Sequence, residues 1–380
     1  MMARTWGAVV VLALTAASGA GCGSEDGVAT TEGGETTGVT TSGSGMPAGS
    51  GGDGAGGADG TGGSDGTGGT GGDGKATVCL EMVDEALAFL DALDADAFEA
   101  ATADFGSGDH TAFEFLPPNS APRAGVSWKD LDMAQRGRLT TFLQSAFSAP
   151  GYAKLEQIRA LESVLAMQES GVPSTPNRDP ENYFIQFFGT PVPDGDLPWG
   201  FRFEGHHLSV QAAVIDCTLF SATPAFWGAS PEITPLSAEV TTAENLFAGL
   251  DAGLQTMAEA GSVGPNAVNV RDGKLDPLSA EGLRYGDMPA SAQTDLIALV
   301  DLYLDNMNGA IAADRRAAIV AAGLDDISFL YDGGNFRVLG PTFVIELVYA
   351  GGDHIHSVWR DYDGDYGDDL IARHLAADHR

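Results

Sequence analysis

Hydrophobic positions recur at steps of three and four over residues 78 to 98, where Val83, Leu87, Leu90, Leu93 and Ala97 mark one face and acidic residues lie between them. This spacing predicts an amphipathic helix. Two more helical runs, residues 128 to 148 and 152 to 169, follow a loop containing Pro117-Pro118. Asp130 is the expected cap of the first, and Pro150-Gly151 marks the break between them. The period then shortens to two over residues 183 to 188 and 201 to 215, bridged by a turn-rich stretch from 191 to 199, which predicts strands.

The same order recurs downstream. Gly125-Val126-Ser127-Trp128 with Gln135 is echoed by Gly282-Leu283-Arg284-Tyr285 with Gln293, each opening a pair of helices. The ten residues from Phe201 to Val210 align without gaps against those from Phe336 to Ile345, with Arg202 opposite Arg337 and Gly205 opposite Gly340. The pattern predicts an α+β fold in which helix pairs pack on an antiparallel-rich sheet. It also predicts an internal duplication, with pseudo-repeats at about 125–215 and 282–374 around a pseudo-twofold core. In the second copy, Pro341-Thr342 stands where the first has His206-His207.

Outside this region the patterning collapses. Residues 1–22 read as an export signal, with Arg4, an apolar run over 6–17 too short for a permanent span, and the small residues Ser18-Gly19-Ala20-Gly21 before Cys22. A cysteine placed there resembles the bacterial lipoprotein signal and would carry the lipid. Gly19 replaces the usual leucine, which keeps an ordinary secretion signal open. Gly23 in place of Asp removes the inner-membrane retention signal, so the expected location is the outer membrane or cell surface, with secretion as the alternative. Residues 23–74 are Gly, Ser, Thr, Asp and Ala with almost no large apolar side chain and read as a flexible tether. That leaves residues 75–380 for a single globular domain.

Acidic residues outnumber basic ones 53 to 19, which argues against nucleic acid and against electrostatic attachment to anionic lipid. Membrane contact is therefore expected through the N-terminal lipid alone. Cys79 and Cys217 remain as an even pair, either disulfide-bonded or two buried thiols.

Several ordered blocks carry a family resemblance. Phe201-Arg202-Phe203-Glu204-Gly205-His206-His207-Leu208-Ser209-Val210, Pro224-Ala225-Phe226-Trp227-Gly228-Ala229, Gly340-Pro341-Thr342-Phe343 and His354-Ile355-His356-Ser357-Val358-Trp359-Arg360-Asp361 are its core. With Asp365-Tyr366-Gly367-Asp368-Asp369-Leu370 and His374, they resemble the domain of unknown function 3500 family over roughly residues 81 to 374. Tyr366 stands where that family tends to have Phe. The resemblance implies one domain of exported bacterial and fungal proteins and no established reaction.

Chemistry has to be read from the side chains. Five of the seven histidines fall in two clusters, His206-His207 and His354/His356 with His374; His110 and His379 lie outside and read as solvated. In a strand His354 and His356 share a face, with Cα atoms about 7 Å apart. They are placed to converge on a divalent transition metal such as zinc, copper or iron. His206 and His207 would point to opposite faces of a regular strand, so one of them is expected to reach a shared ion, and His374 is the further nitrogen candidate. Glu204 and Asp353 are candidate oxygen ligands or supporting partners. Arg202 and Arg360 could clamp an anionic group, Arg360 being the stronger candidate; alternatively Arg360 pairs with Asp365 or Asp361, and Arg202 pins the core as its counterpart Arg337 would. A buried hydrogen-bond network is the alternative to metal.

The aspartates from Asp361 to Asp365 have calcium-loop spacing, but Tyr366 and Ala372 stand where that loop needs Gly and Glu. Ser209 and Ser357 lie in no nucleophile elbow. The expected function is a metal-dependent hydrolase of a small anionic molecule. A non-catalytic metal or small-ligand receptor and a metal-dependent oxidoreductase are the alternatives. Oligomeric state is not legible.

Overall fold

Alternation of apolar and polar positions builds one mixed, mostly antiparallel sheet, seen in a computed structural model that describes residues 71–170, 178–268 and 273–378. The segment read as an export signal, Cys22, His379 and most of the expected tether lie outside the described residues. The first run of strands is β1 (Thr102–Ala103), β2 (Val126–Ser127), β3 (Phe184–Phe188), β4 (Trp199–Gly205), β5 (Leu208–Ile215), β6 (Leu219–Ser221) and β7 (Ala225–Ala229). The second is β8 (Leu283–Arg284), β9 (Ser328–Asp332), β10 (Asn335–Leu339), β11 (Phe343–Gly351) and β12 (His354–Asp361). Spatial order is β1-β3-β4-β5-β7-β12-β11-β10-β9-β8, with β2 on β3 and β6 on β5. The two runs meet where β7 pairs with β12.

Helices α1 (Gly71–Leu90), α2 (Ala95–Ala101), α3 (Met133–Ala146), α4 (Ala149–Gln168), α5 (Ser237–Ala248), α6 (Ala252–Ala258), α7 (Ala290–Leu304) and α8 (Gly309–Ala322) cover one face, and α9 (Leu370–Asp378) packs on the other, with Leu370 against Ala213 and Ile215. Toward the larger core point Ile185, Phe187, Phe201, Phe203, Val210, Trp227, Ile355, Trp359, Ile345 and Val338, all buried against residues such as Phe142, Leu143, Leu296 and Leu299. Each fully buried side chain of this size stabilises by about 1.5–3 kcal/mol. No helix among the described residues is long and apolar enough to cross a membrane.

The other face is covered by irregular chain carrying Phe113, Phe115, Val263, Val268 and Leu275. It carries polar residues in register: Gln186, Arg202 and Gln211 stand opposite one another on β3, β4 and β5, and Arg337 faces Glu346 across β10 and β11.

The first expected helix is two. It starts at Gly71, inside the expected tether, and stops at Leu90; Asp94 accepts from the Ala97 amide and starts α2. Trp128–Asp130 forms a short 3-10 turn, so the cap of α3 is Asp132 rather than Asp130, in a reciprocal capping box with Gln135. Pro150 and Gly151 lie in the first turn of α4, where a missing amide hydrogen costs nothing, and Ser148 caps that helix.

The echoed segments take similar conformations. Gly125 and Gly282 have positive φ, and a Cβ on either would lie within 2.5 Å of a neighbouring strand's carbonyl oxygen. The links between the helices of each pair bond reciprocally: the Ser148 amide donates to the Asn306 carbonyl at 3.1 Å and the Asn308 amide to the Ala146 carbonyl at 2.9 Å.

Cys79 on α1 is disulfide-bonded to Cys217 in the β5–β6 turn, across 138 residues of sequence. Such a link restricts the unfolded chain far more than the folded one. Replacing both cysteines by serine is expected to lower the unfolding free energy by about 2–5 kcal/mol, read by chemical denaturation; an unchanged midpoint would contradict this.

Candidate metal centre

Gly205 pairs directly with Leu208, so His206 and His207 are the two residues of a tight hairpin turn, not strand residues. His207 takes φ +61°, unusual for a residue with a side chain and costing about 1 kcal/mol or more. Neighbouring groups hold it there. Its amide donates to the Phe115 carbonyl at 3.0 Å, its carbonyl accepts from the Gly228 amide at 2.7 Å, and the Tyr183 hydroxyl donates to the His206 carbonyl at 2.7 Å. A Cβ on Gly205 would collide with the Tyr183 ring at 2.5 Å, so glycine makes room for that buttress.

The β11–β12 hairpin turns at the same end of the sheet. Trp227 pairs with both Leu208 and Ser357, which sets His207, Gly228 and His356 in one row, with His354 two residues further out on the same face. A Cβ on Gly228 would approach the His207 ring at 3.1 Å, and its absence leaves that ring space.

Nε2 of His354 lies 2.9 Å from Nε2 of His207 and 2.8 Å from Nε2 of His356. All three ligand nitrogens fall within 4.8 Å of one another, and this is the metal-capable group among the described residues. A ring nitrogen carries one hydrogen or one lone pair, so Nε2 of His354 cannot make two ordinary hydrogen bonds at once. A single cation could accept all three lone pairs. Nitrogens at about 2.1 Å from a tetrahedral ion stand roughly 3.4 Å apart, within reach of small ring rotations from here.

Burial makes the imidazoles ready ligands. It holds His207 well below the ordinary histidine range, helped by the charges of the neighbouring histidines and Arg178. Burial likewise lowers His354 to about 4 and His356 to about 3. The neutral ring is the form that binds metal. Phe115 and Phe226, stacked 3.8 Å apart, form an aromatic wall, each with its ring centre about 5.5 Å from that of His356.

His206 and His374 lie outside the triad. The His206 ring stacks on His207 at 3.7 Å, and its Nδ1 pairs with Glu162 of α4, while Arg178 Nη1 sits 3.0 Å from the same nitrogen. His374, on α9, lies 3.9 Å from Asp196.

The other expected site residues are engaged elsewhere. Glu204 is buried between Arg123 and Arg202 at 3.4 and 3.2 Å and accepts from the Ser209 hydroxyl at 2.9 Å. Arg202 also donates to the carbonyls of Asp109 and Ala112, pinning the covering chain to the sheet. Arg360 pairs with Asp365 and donates to the Gly273 carbonyl at 2.9 Å, and Asp361 pairs with Arg315. Asp353 is exposed in the β11–β12 turn. His110 is not solvated: it is buried against Phe105 and Phe188, and burial lowers it to about 4.

The family described as Protein of unknown function (DUF3500) matches residues 75–368. The chain belongs to the DUF3500 family. No curated protein and no solved structure matches it. The match spans every residue of the triad and its supports, so the centre described above lies wholly within the DUF3500 region of this chain.

Sequence reasoning missed Glu162, Arg178 and Gly228. Glu162 had a signal, since it falls at helical spacing within the apolar stripe of Leu155, Ile158 and Leu165. Gly228 had one as well, a lone glycine between aromatic and small apolar strand residues, which marks close approach of a neighbour.

The lowered values have a definite sign. In the unfolded chain His354 and His356 take up protons near 6.5, and in the fold only near 4 and 3. Their contribution to stability is full above about pH 6.5 and is lost as the pH falls through those folded values. In metal-free protein their imidazole NMR signals are expected to remain those of the neutral ring as the pH falls through 6.5 and to move only near 4 for His354 and 3 for His356. Titration near 6.5 would contradict the buried arrangement.

Proposed function

We propose that His207, His354 and His356 hold one divalent transition metal ion and that this DUF3500 protein is an exported, surface-tethered hydrolase of a small anionic molecule. The convergence of three neutral imidazole nitrogens within 4.8 Å carries the reading. All-imidazole ligation suits zinc, copper or iron better than the hard cations that prefer oxygen. The group has three protein members among the described residues, leaving coordination positions for an external ligand, as in catalytic rather than closed structural sites. When bound, the ion would supply Lewis acidity toward a carbonyl or phosphoryl oxygen or a water.

The chain's own contribution is to fix the ligands. The strained His207 turn, the rigid β12 pair and the Glu162–His206 contact restrict ring orientation before any ion arrives, as supporting contacts do at metal sites generally. The Phe115–Phe226 wall excludes water on one side. Export is supported by the disulfide, which persists in oxidising compartments, and by the N-terminal sequence with Cys22 as its lipid attachment point.

Metal analysis of the purified full-length chain tests this. About one equivalent of zinc, copper or iron is expected in the parent protein, and less than a tenth of that in a His354→Ala/His356→Ala variant with an unchanged far-UV spectrum. A folded parent that takes up none of the three metals would overturn it.

A further inference from the structure

A second group of charged side chains stands at the end of β12 away from His354. Asp361 closes that strand, and the chain then passes through Gly364 to Asp369, just before α9. With Arg315 of α8 and Arg373 of α9, these residues line a cavity of about 270 Å³. Thr342, which stands opposite His207 in the alignment of the echoed segments, forms part of its wall.

Each carboxylate is engaged by an arginine on one oxygen only. Asp361 accepts from Arg315 Nη2 on Oδ2, and Asp369 accepts from Arg373 Nη1 on Oδ2 at 3.4 Å. Oδ1 of each is buried and has no hydrogen-bond partner among the described residues, and the same is true of Arg315 Nε. The Asp361 and Arg315 side chains are 3% and 8% exposed. The Thr223 hydroxyl acts on Asp361 from the protein side but makes no hydrogen bond of ordinary geometry. Buried polar atoms left in this state are costly, and a ligand that pairs with them relieves the cost. A Cβ on Gly364 would lie 3.1 Å from Asp361 Oδ2 and 3.6 Å from Asp369 Oδ1. One point of space therefore touches both carboxylates, and glycine keeps it open.

Charge and size select the occupant. Two arginines line the cavity against three aspartates, Asp363 being the third, which leaves one negative charge. The charged neighbours outside it cancel: Lys274, bonded to Asp363, against Asp368, and Arg360 against Asp365. A metal ion is poorly matched. Asp365 is turned onto Arg360 and the Asp361 amide, and among the described residues three close metal-type donors occur at the histidine triad, not here. A primary ammonium brings one positive charge and three hydrogens for the carboxylate oxygens. Arg315 Nε needs an acceptor in return, and the volume falls below that of ordinary drug-sized sites.

We infer that this cavity binds a small amino alcohol in its cationic form, the ammonium between Asp361 and Asp369 and the hydroxyl oxygen accepting from Arg315 Nε. The inference is independent of the triad and of the function proposed for it.

Calorimetric titration of the full-length protein with ethanolamine at neutral pH tests this. Saturable binding is expected at millimolar concentration, as suits a ligand of so few atoms. The affinity is expected to be the same after treatment with EDTA, which separates this site from any metal in the triad. Asp369→Asn is expected to weaken binding about tenfold or more. Gly364→Ala is expected to abolish it by filling the point between the carboxylates, and both variants are expected to keep the parent's melting temperature. Ethylamine, which lacks the acceptor for Arg315, is expected to bind more weakly than ethanolamine. Absence of ethanolamine binding, equal affinity in Asp369→Asn and the parent, loss of binding on EDTA treatment, or tighter binding of calcium chloride would overturn the inference; equal binding of ethylamine would overturn the role of Arg315.

Discussion

The pairing of β7 with β12 is the contact on which the centre depends. Register there is fixed from Ala225 opposite Trp359 to Ala229 opposite Ile355, and β7 also holds the start of β5. His207 and His356 are separated by almost 150 residues of sequence, yet become near neighbours because one short strand stands between them. A slip of a single residue would send His354 and His356 to the helix-covered face, where Ile355 and Trp359 now pack. The apolar core therefore sets the position of the triad: it fixes which side chains of β12 turn inward, and the histidines take the alternate positions.

The loop-covered face works differently from the helix-covered one. Its interior is held by buried charge pairs, Arg202 with Glu204, Arg337 with Glu346, and Arg360 with Asp365, each at most a few per cent exposed. Burial raises the carboxyl groups of Glu204, Glu346 and Asp365, against the pull of their arginines. Such pairs add little net stability over an apolar substitute, but losing one partner strands the other. Their effect here is to tie irregular chain to the sheet, through carbonyls of residues 109, 112, 264 and 273.

Much of this was legible in the sequence, because period and face survive without knowledge of contacts. The helix pairs, the strands around residues 201 to 215, and the shared face of His354 and His356 follow from spacing alone. What was not legible depends on long-range neighbours. His206-His207 could be placed on a strand or a turn, and Gly205 settles it only once the Tyr183 ring is seen to occupy the space of a Cβ. Arg360 and Arg202 look like ligand clamps when their partners, Asp365 and the carbonyls of a loop almost 100 residues upstream, are unknown. His110 reads as solvated because the aromatic residues that enclose it come from three separate segments.

The turn that carries His207 has a temporal meaning as well. Its strain is balanced by bonds from Phe115 and Gly228, and the histidines that complete the triad follow only at residues 354 and 356. Contacts of such separation form late, after the loop-closure entropy of the intervening chain has been overcome. During synthesis the triad cannot exist until β12 has emerged and paired with β7, so an ion captured there would report that the two runs of strands have joined, and chains stopped before residue 354 would present no competing trap for it.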